Sequence, residues 1–97
     1  MHLQIPHTFS QQEATERIKL AISEAKTKMG DKGSIDEERW EGSTLHFAVS
    51  GQGQHISGTL EVKDKEFILD AKLPFMMRLF EGKIEKAILE QAKQLLG

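Results

Sequence analysis

The chain contains no cysteine, which removes disulfides, thiolate nucleophiles, zinc–cysteine sites and iron–sulfur clusters together and makes a reducing cytoplasm the expected compartment. No stretch approaches the ~20 consecutive apolar residues of a membrane span. The N-terminus, Met1-His2-Leu3-Gln4-Ile5-Pro6, has no charged region ahead of a long apolar run, so neither secretion nor membrane insertion is expected. Positive charge is not in excess either. Thirteen Lys and Arg against fifteen Asp and Glu give a formal charge of -2, too little to hold a phosphate backbone or an anionic membrane by its field. Internal repeats, low-complexity tracts and a nucleotide-binding glycine fingerprint are also missing.

What is present is an ordinary globular composition: 38% hydrophobic and 29% charged over 97 residues. That length supports one modest core and so a single domain over residues 1–97. Leu3 and Ile5 alternate with polar neighbours ahead of Pro6, as in a short strand at a sheet edge, where the missing N–H of proline is tolerated. Ser10 and Glu13 then form a capping-box pattern, with Phe9 placed to staple onto Ala14. Apolar residues follow at Ala14, Ile18, Ala21, Ile22, Ala25 and Met29, predicting an amphipathic helix over 10–29 that stops at Gly30.

Four runs bounded by turn residues come next, near 34–40, 44–50, 55–62 and 66–73, and an antiparallel meander is the simplest reading. Leu45, Phe47 and Val49 share one side, as do Ile56, Leu60 and Val62, and as do Phe67, Leu69, Ala71 and Leu73. If those sides form one face, two-residue loops at Gln52-Gly53 and Asp64-Lys65 set the register. Phe47, Gly58 and Ala71 then fall in one row, with room beside the phenylalanine ring for a helix. The run 34–40 is less regular, because Ile35 and Trp40 have opposite parity; an edge strand with a bulge would reconcile them.

A second amphipathic helix is expected over 75–96, opened by Pro74. Its stripe is Met77, Phe80, Ile84, Ala87, Ile88, Gln91 and Leu95, widened by Met76, Ala92 and Leu96. The predicted fold is therefore α+β: a mainly antiparallel five-stranded sheet with two helices packed on one face, in the order β-α-β-β-β-β-α, resembling a reduced helix-grip fold.

No catalytic, cofactor-binding or metal-binding residues are expected. His46 and His55 face away from the helices, but the register sets them about four residues apart along the strands, roughly 13 Å, too far for one metal ion. His2 and His7 bracket the first strand, and nothing in the sequence places them beside a carboxylate pair. The row His46, Thr59, Asp70 has the wrong order for a triad, since the imidazole must sit between hydroxyl and carboxylate. Phe75, Met76, Met77, Leu79 and Phe80 put five large apolar side chains in six positions, more than one helix face can turn inward. Two readings stay open: packing around the sheet's end, or an exposed patch for a lipid-like surface, a hydrophobic ligand or a partner.

The run Phe67-Ile68-Leu69-Asp70-Ala71-Lys72-Leu73, followed by Phe75, Phe80, Gly82, Ile84 and Glu85, resembles the C-terminal signature of the polyhydroxyalkanoic acid system family of small bacterial proteins. The similarity extends to Gly58, Leu60, Val62 and His7; Pro74 departs from it, standing where many relatives carry glycine. The resemblance implies association with synthesis or storage of polyhydroxyalkanoate, a polyester carbon reserve, and brings no catalytic residues. Polyester synthases and depolymerases use a cysteine or serine nucleophile with histidine, and neither cysteine nor the elbow G-x-S-x-G occurs here. The expectation is a non-enzymatic, cytoplasmic accessory protein that meets a granule, an intermediate or a pathway protein through Phe75, Met76, Leu79 and Phe80. The alternatives are a small hydrophobic-ligand carrier or cryptic enzyme with a pocket between sheet and C-terminal helix, lined by Phe47, Leu69 and Phe80, and a homodimer through an edge strand or the wet sheet face.

Overall fold

In the computed structural model, which describes residues 1–96 and side chains as far as residue 94, period-two runs become strands wherever turn residues bound them. β1 is His2–Pro6, β2 Gly33–Glu41, β3 Thr44–Gly51, β4 Gln54–Val62 and β5 Glu66–Lys72. They form one antiparallel sheet in the order β1-β5-β4-β3-β2, so β1 and β2 are its edges. Helix α1 spans Gln11–Met29, the short helix α2 Phe75–Arg78, and α3 Glu81–Leu96. The fold class is α+β, as the pattern predicts.

The register follows from parity. Phe47 stands opposite Gly58 and Gly58 opposite Ala71, because the two tight turns leave no other pairing that keeps the apolar sides together. Gln52 and Gly53 both take positive φ, at 52° and 77°, as a two-residue hairpin turn of that hand requires. The reason for Gly58 differs from the expected one. Its missing Cβ makes room for the backbone of β5, not for a helix: a Cβ there would fall on the Asp70 carbonyl oxygen and lie 2.8 Å from Ala71 Cα.

A register shift between Ile35 and Glu37 marks the expected bulge in β2; before it Ile35 faces Val49, and after it Trp40 faces Leu45. Asp36, the extra residue, thus brings two apolar side chains of opposite parity onto the core face. Its carboxylate accepts the hydroxyls of Ser34, at 2.7 Å, and of Ser50.

α1 begins as predicted. Ser10 Oγ accepts the Glu13 amide at 3.1 Å, which is worth about 1 kcal/mol, and Ala14 is fully buried beside Phe9. Gly30 ends the helix at φ 53° and leads through a 3-10 turn, Gly30–Lys32, into β2. The tightest packing lies at one end of the sheet, where Ile5, Phe67 and Val62 form a cross-strand row under Ala14 and Ile18 of α1 and Ile88 and Ala92 of α3.

The single helix expected over 75–96 is broken at Leu79–Phe80. The Phe80 amide donates to the Met77 carbonyl at 3.0 Å, an i to i−3 bond that tightens the turn and ends the α ladder. The ladder resumes when the Ile84 amide reaches Phe80 O at 3.0 Å. Phe80 thereby leaves the inward stripe. Leu95 and Leu96, also assigned to that stripe, lie outside the described side chains.

Candidate functional site

Pro74 adopts φ −56° and ψ 153°, a geometry that turns the chain out of β5, and its carbonyl accepts the Met77 and Arg78 amides at 2.9 and 3.2 Å. The resulting single turn of helix can direct only one of its large side chains toward the sheet. Met77 takes that role, half-buried beside Val49 and Ile56. Phe75, Met76, Leu79 and Phe80 point outward and are 75%, 62%, 69% and 54% exposed. These four side chains therefore lie in the open and do not pack around the sheet's end. Arg78, within the stretch, and Lys83, just beyond it, are both exposed.

A second apolar feature lies between the helices. The cavity, of about 410 Å³, is floored by Leu60, Phe67 and Leu69 and walled by Ile18 of α1 and Ile84 and Ile88 of α3. An adjoining hollow of about 300 Å³ under α1 reaches Phe47. Leu69 lines both spaces, as expected for a pocket under the helices, and Phe47 lines the smaller. Phe80 lines neither, because the turn at 79–80 swings it out. Gln91, the one polar member of the predicted helical stripe, lines the larger cavity; an amide in an otherwise apolar stripe is the sequence signal that marks this wall.

The polar groups form separate small networks. His46 is level with Thr59, and Thr59 with Asp70, in the predicted non-triad order. β1 adds a neighbour that parity alone did not place: His2 is level with Asp70, and its Nδ1 lies 2.5 Å from Asp70 Oδ1. Both side chains are more than half exposed, a setting in which such pairs contribute little. At the far end of the sheet, His55 Nδ1 lies 3.0 Å from Ser50 Oγ and 3.6 Å from Asp36 Oδ2. One nitrogen thus faces both groups, and Asp36 also takes the Ser50 hydroxyl directly, so the imidazole cannot relay a proton between them. Among the described residues no group of three or more His, Asp or Glu side chains is arranged to hold a metal ion.

His7 is buried and structural. Its Nδ1 accepts the Phe9 amide at 3.1 Å and its Nε2 donates to the Lys63 carbonyl at 2.8 Å, so the neutral ring is satisfied at both nitrogens. It ties the entry of α1 to the β4–β5 turn, with its ring 4.7 Å from that of Phe67.

The hydroxyls of Ser50 and Ser34, and then the nearby His55, hold the Asp36 carboxyl below its ordinary value of 3.8. A lowered carboxyl stabilises the fold above its unfolded value and loses that contribution as pH falls through the folded one. Asp36→Asn is therefore expected to lower the melting temperature at pH 7, with the gap to wild type closing below pH 3.8. Thermal circular dichroism at several pH values checks this, and a gap that persists unchanged in acid would refute it.

No curated protein and no solved structure matches the chain. Residues 1–96, however, match the family of polyhydroxyalkanoic acid system proteins, and that match takes in the strand and turn residues whose geometry is described above. The chain belongs to the polyhydroxyalkanoic acid system protein family.

Proposed function

We propose that this protein is a non-catalytic accessory component of polyhydroxyalkanoate metabolism that rests on the storage polyester through Phe75, Met76, Leu79 and Phe80. The observation that carries this reading is the exposure of all four side chains within six consecutive positions. Full burial of such a side chain is worth about 1.5–3 kcal/mol, and a contiguous patch held in water marks a contact surface. A polyester surface is uncharged and aliphatic, with weak ester acceptors, so non-directional apolar contact suits it. Met76 is flexible enough to follow an irregular surface, and Arg78 and Lys83 keep the surroundings wetted. Membership of a polyhydroxyalkanoic acid system family supports the choice of this polymer. The absence of cysteine and of a nucleophile elbow, together with the order of the His-containing networks, supports a role without covalent catalysis.

Co-sedimentation of the purified protein with isolated polyester granules tests the reading. The wild type is expected in the granule pellet. Met76→Glu with Leu79→Glu is expected to reduce the bound fraction at least about tenfold while leaving the circular dichroism spectrum unchanged. Granule binding that survives the double substitution would remove the patch from consideration.

A further inference from the structure

The core face of the sheet carries more apolar surface than the helices cover. The row Ile5, Phe67, Val62 is sealed, whereas in the next row Leu3, Leu69 and Leu60 are only half-buried. The cavity of about 410 Å³ between α1 and α3 lies over this exposed surface. It adjoins the hollow of about 300 Å³ beneath α1 along Ile18, Leu60 and Leu69, which line both. We propose that these two adjoining spaces together bind a single saturated aliphatic chain that ends in an oxygen-bearing carbonyl head, as in a fatty acid or its ester.

Each part of this ligand answers a feature of the walls. The walls are apolar except for Arg17 and Gln91 in the larger space and Glu37 and Glu38 in the smaller, the two glutamates being exposed and paired with Arg39 and Lys26. Such a lining suits hydrocarbon, and the volume falls within the range of small-molecule sites, roughly 300–1,000 Å³. Two adjoining spaces that share Ile18, Leu60 and Leu69 in their linings favour an extended occupant over a globular one. The polar residues lining the larger cavity are Arg17 of α1 and Gln91 of α3, both partly or fully open to solvent, so donors stand at the mouth and not in the depths. The Arg17 guanidinium lies 4.1 Å from the Phe9 ring centroid and 3.7 Å from Glu13 Oε1, contacts that limit the positions it can take. A guanidinium and a primary amide both donate N–H to carbonyl or carboxylate oxygen. None of these residues belongs to the patch formed by Phe75, Met76, Leu79 and Phe80, so the two surfaces can be tested separately.

Isothermal titration with hexanoate, octanoate and decanoate below their micelle thresholds, and with methyl decanoate, is the test. Saturable one-to-one binding is expected, tightening about fourfold for each added methylene. Tighter binding of the acid than of its methyl ester assigns a carboxylate head; equal binding assigns an ester carbonyl. Ala87→Phe, at an exposed wall position, is expected to weaken decanoate at least about tenfold with the melting temperature retained. Gln91→Phe is the second blocking variant if the first does not fold. Met76→Glu with Leu79→Glu should leave chain binding unchanged whether or not granule binding is lost. Failure of every chain to bind saturably overturns the proposal, as does binding indifferent to both blocking variants or abolished by the patch variant.

Discussion

Gly58→Ala is expected to destabilise the fold by about 4 kcal/mol or more, a loss confined in most proteins to a few special positions. A methyl group on a half-open sheet face is ordinarily cheap. Here it would fall on the carbonyl oxygen of Asp70 and lie 2.8 Å from Ala71 Cα and 3.0 Å from the Asp70 carbonyl carbon. These are backbone atoms of the paired strand, so no side chain can rotate away, and β4 must separate from β5 at the centre of the sheet. Overpacking against mobile side chains costs about 1–3 kcal/mol; displacing a hydrogen-bonded ladder adds the bonds it strains. Gly82→Ala is the matched control. It lies in the first turn of α3 with nothing within 4 Å of the added methyl, and alanine there should gain up to about 1 kcal/mol. Urea denaturation of the two variants measures the contrast, and a loss at Gly58 below about 1 kcal/mol would mean that the strands are not so closely apposed.

Most of the sheet was legible because side-chain parity is a discrete variable. Leu45, Phe47 and Val49 cannot share a face with Leu60 and Leu69 in more than one register once the turns hold two residues each, and the observed pairs follow. Ile35 and Trp40 could be reconciled by adding one residue between them, and Asp36 is that residue. Gly58 was placed in the correct row for the wrong reason, since sequence shows that a side chain is missing but not which neighbour needs the space. The pairing of β1 with β5 was open, because an edge strand carries no parity relation to strands far along the chain. The contact of His2 with Asp70 was therefore out of reach.

The helical segment after Pro74 was harder to read. Residues 79 and 80 hold no proline, glycine or capping side chain, so nothing local announces the break. It is seen only in the hydrogen bonds, where the Phe80 amide turns to the Met77 carbonyl before the ladder resumes at Ile84. The patch was visible as a surplus of apolar residues, whereas its outward direction depends on the turn. The cavity was less legible still: Ile84, Ile88 and Ile18 have the spacing of core residues, and the space they leave unfilled is a property of how far the helices stand from the sheet.

Phe67→Ala is expected to cost about 3–5 kcal/mol, a large part of the roughly 5–15 kcal/mol that holds a domain of this size together. Parity put Phe47 and Phe67 on the core face and helical spacing put Phe80 on the stripe of the last helix, yet their surroundings differ. Phe67 is 3% exposed within the cluster of Ile5, Ala14 and Val62, and its removal also strips one of two aromatic neighbours from the His7 ring. Phe47 is half-buried and borders the hollow beneath α1, so its ring leaves behind less well-packed space and Phe47→Ala should cost less. Phe80 is 54% exposed, and Phe80→Ala should fall within about 0.5 kcal/mol of wild type. Urea titration of the three alanine variants, with slopes compared to ensure a common unfolding transition, gives the order directly. If Phe47→Ala cost as much as Phe67→Ala, α1 would have to close on β3 as tightly as it does on β5, and the space for an aliphatic chain beneath it would be lost.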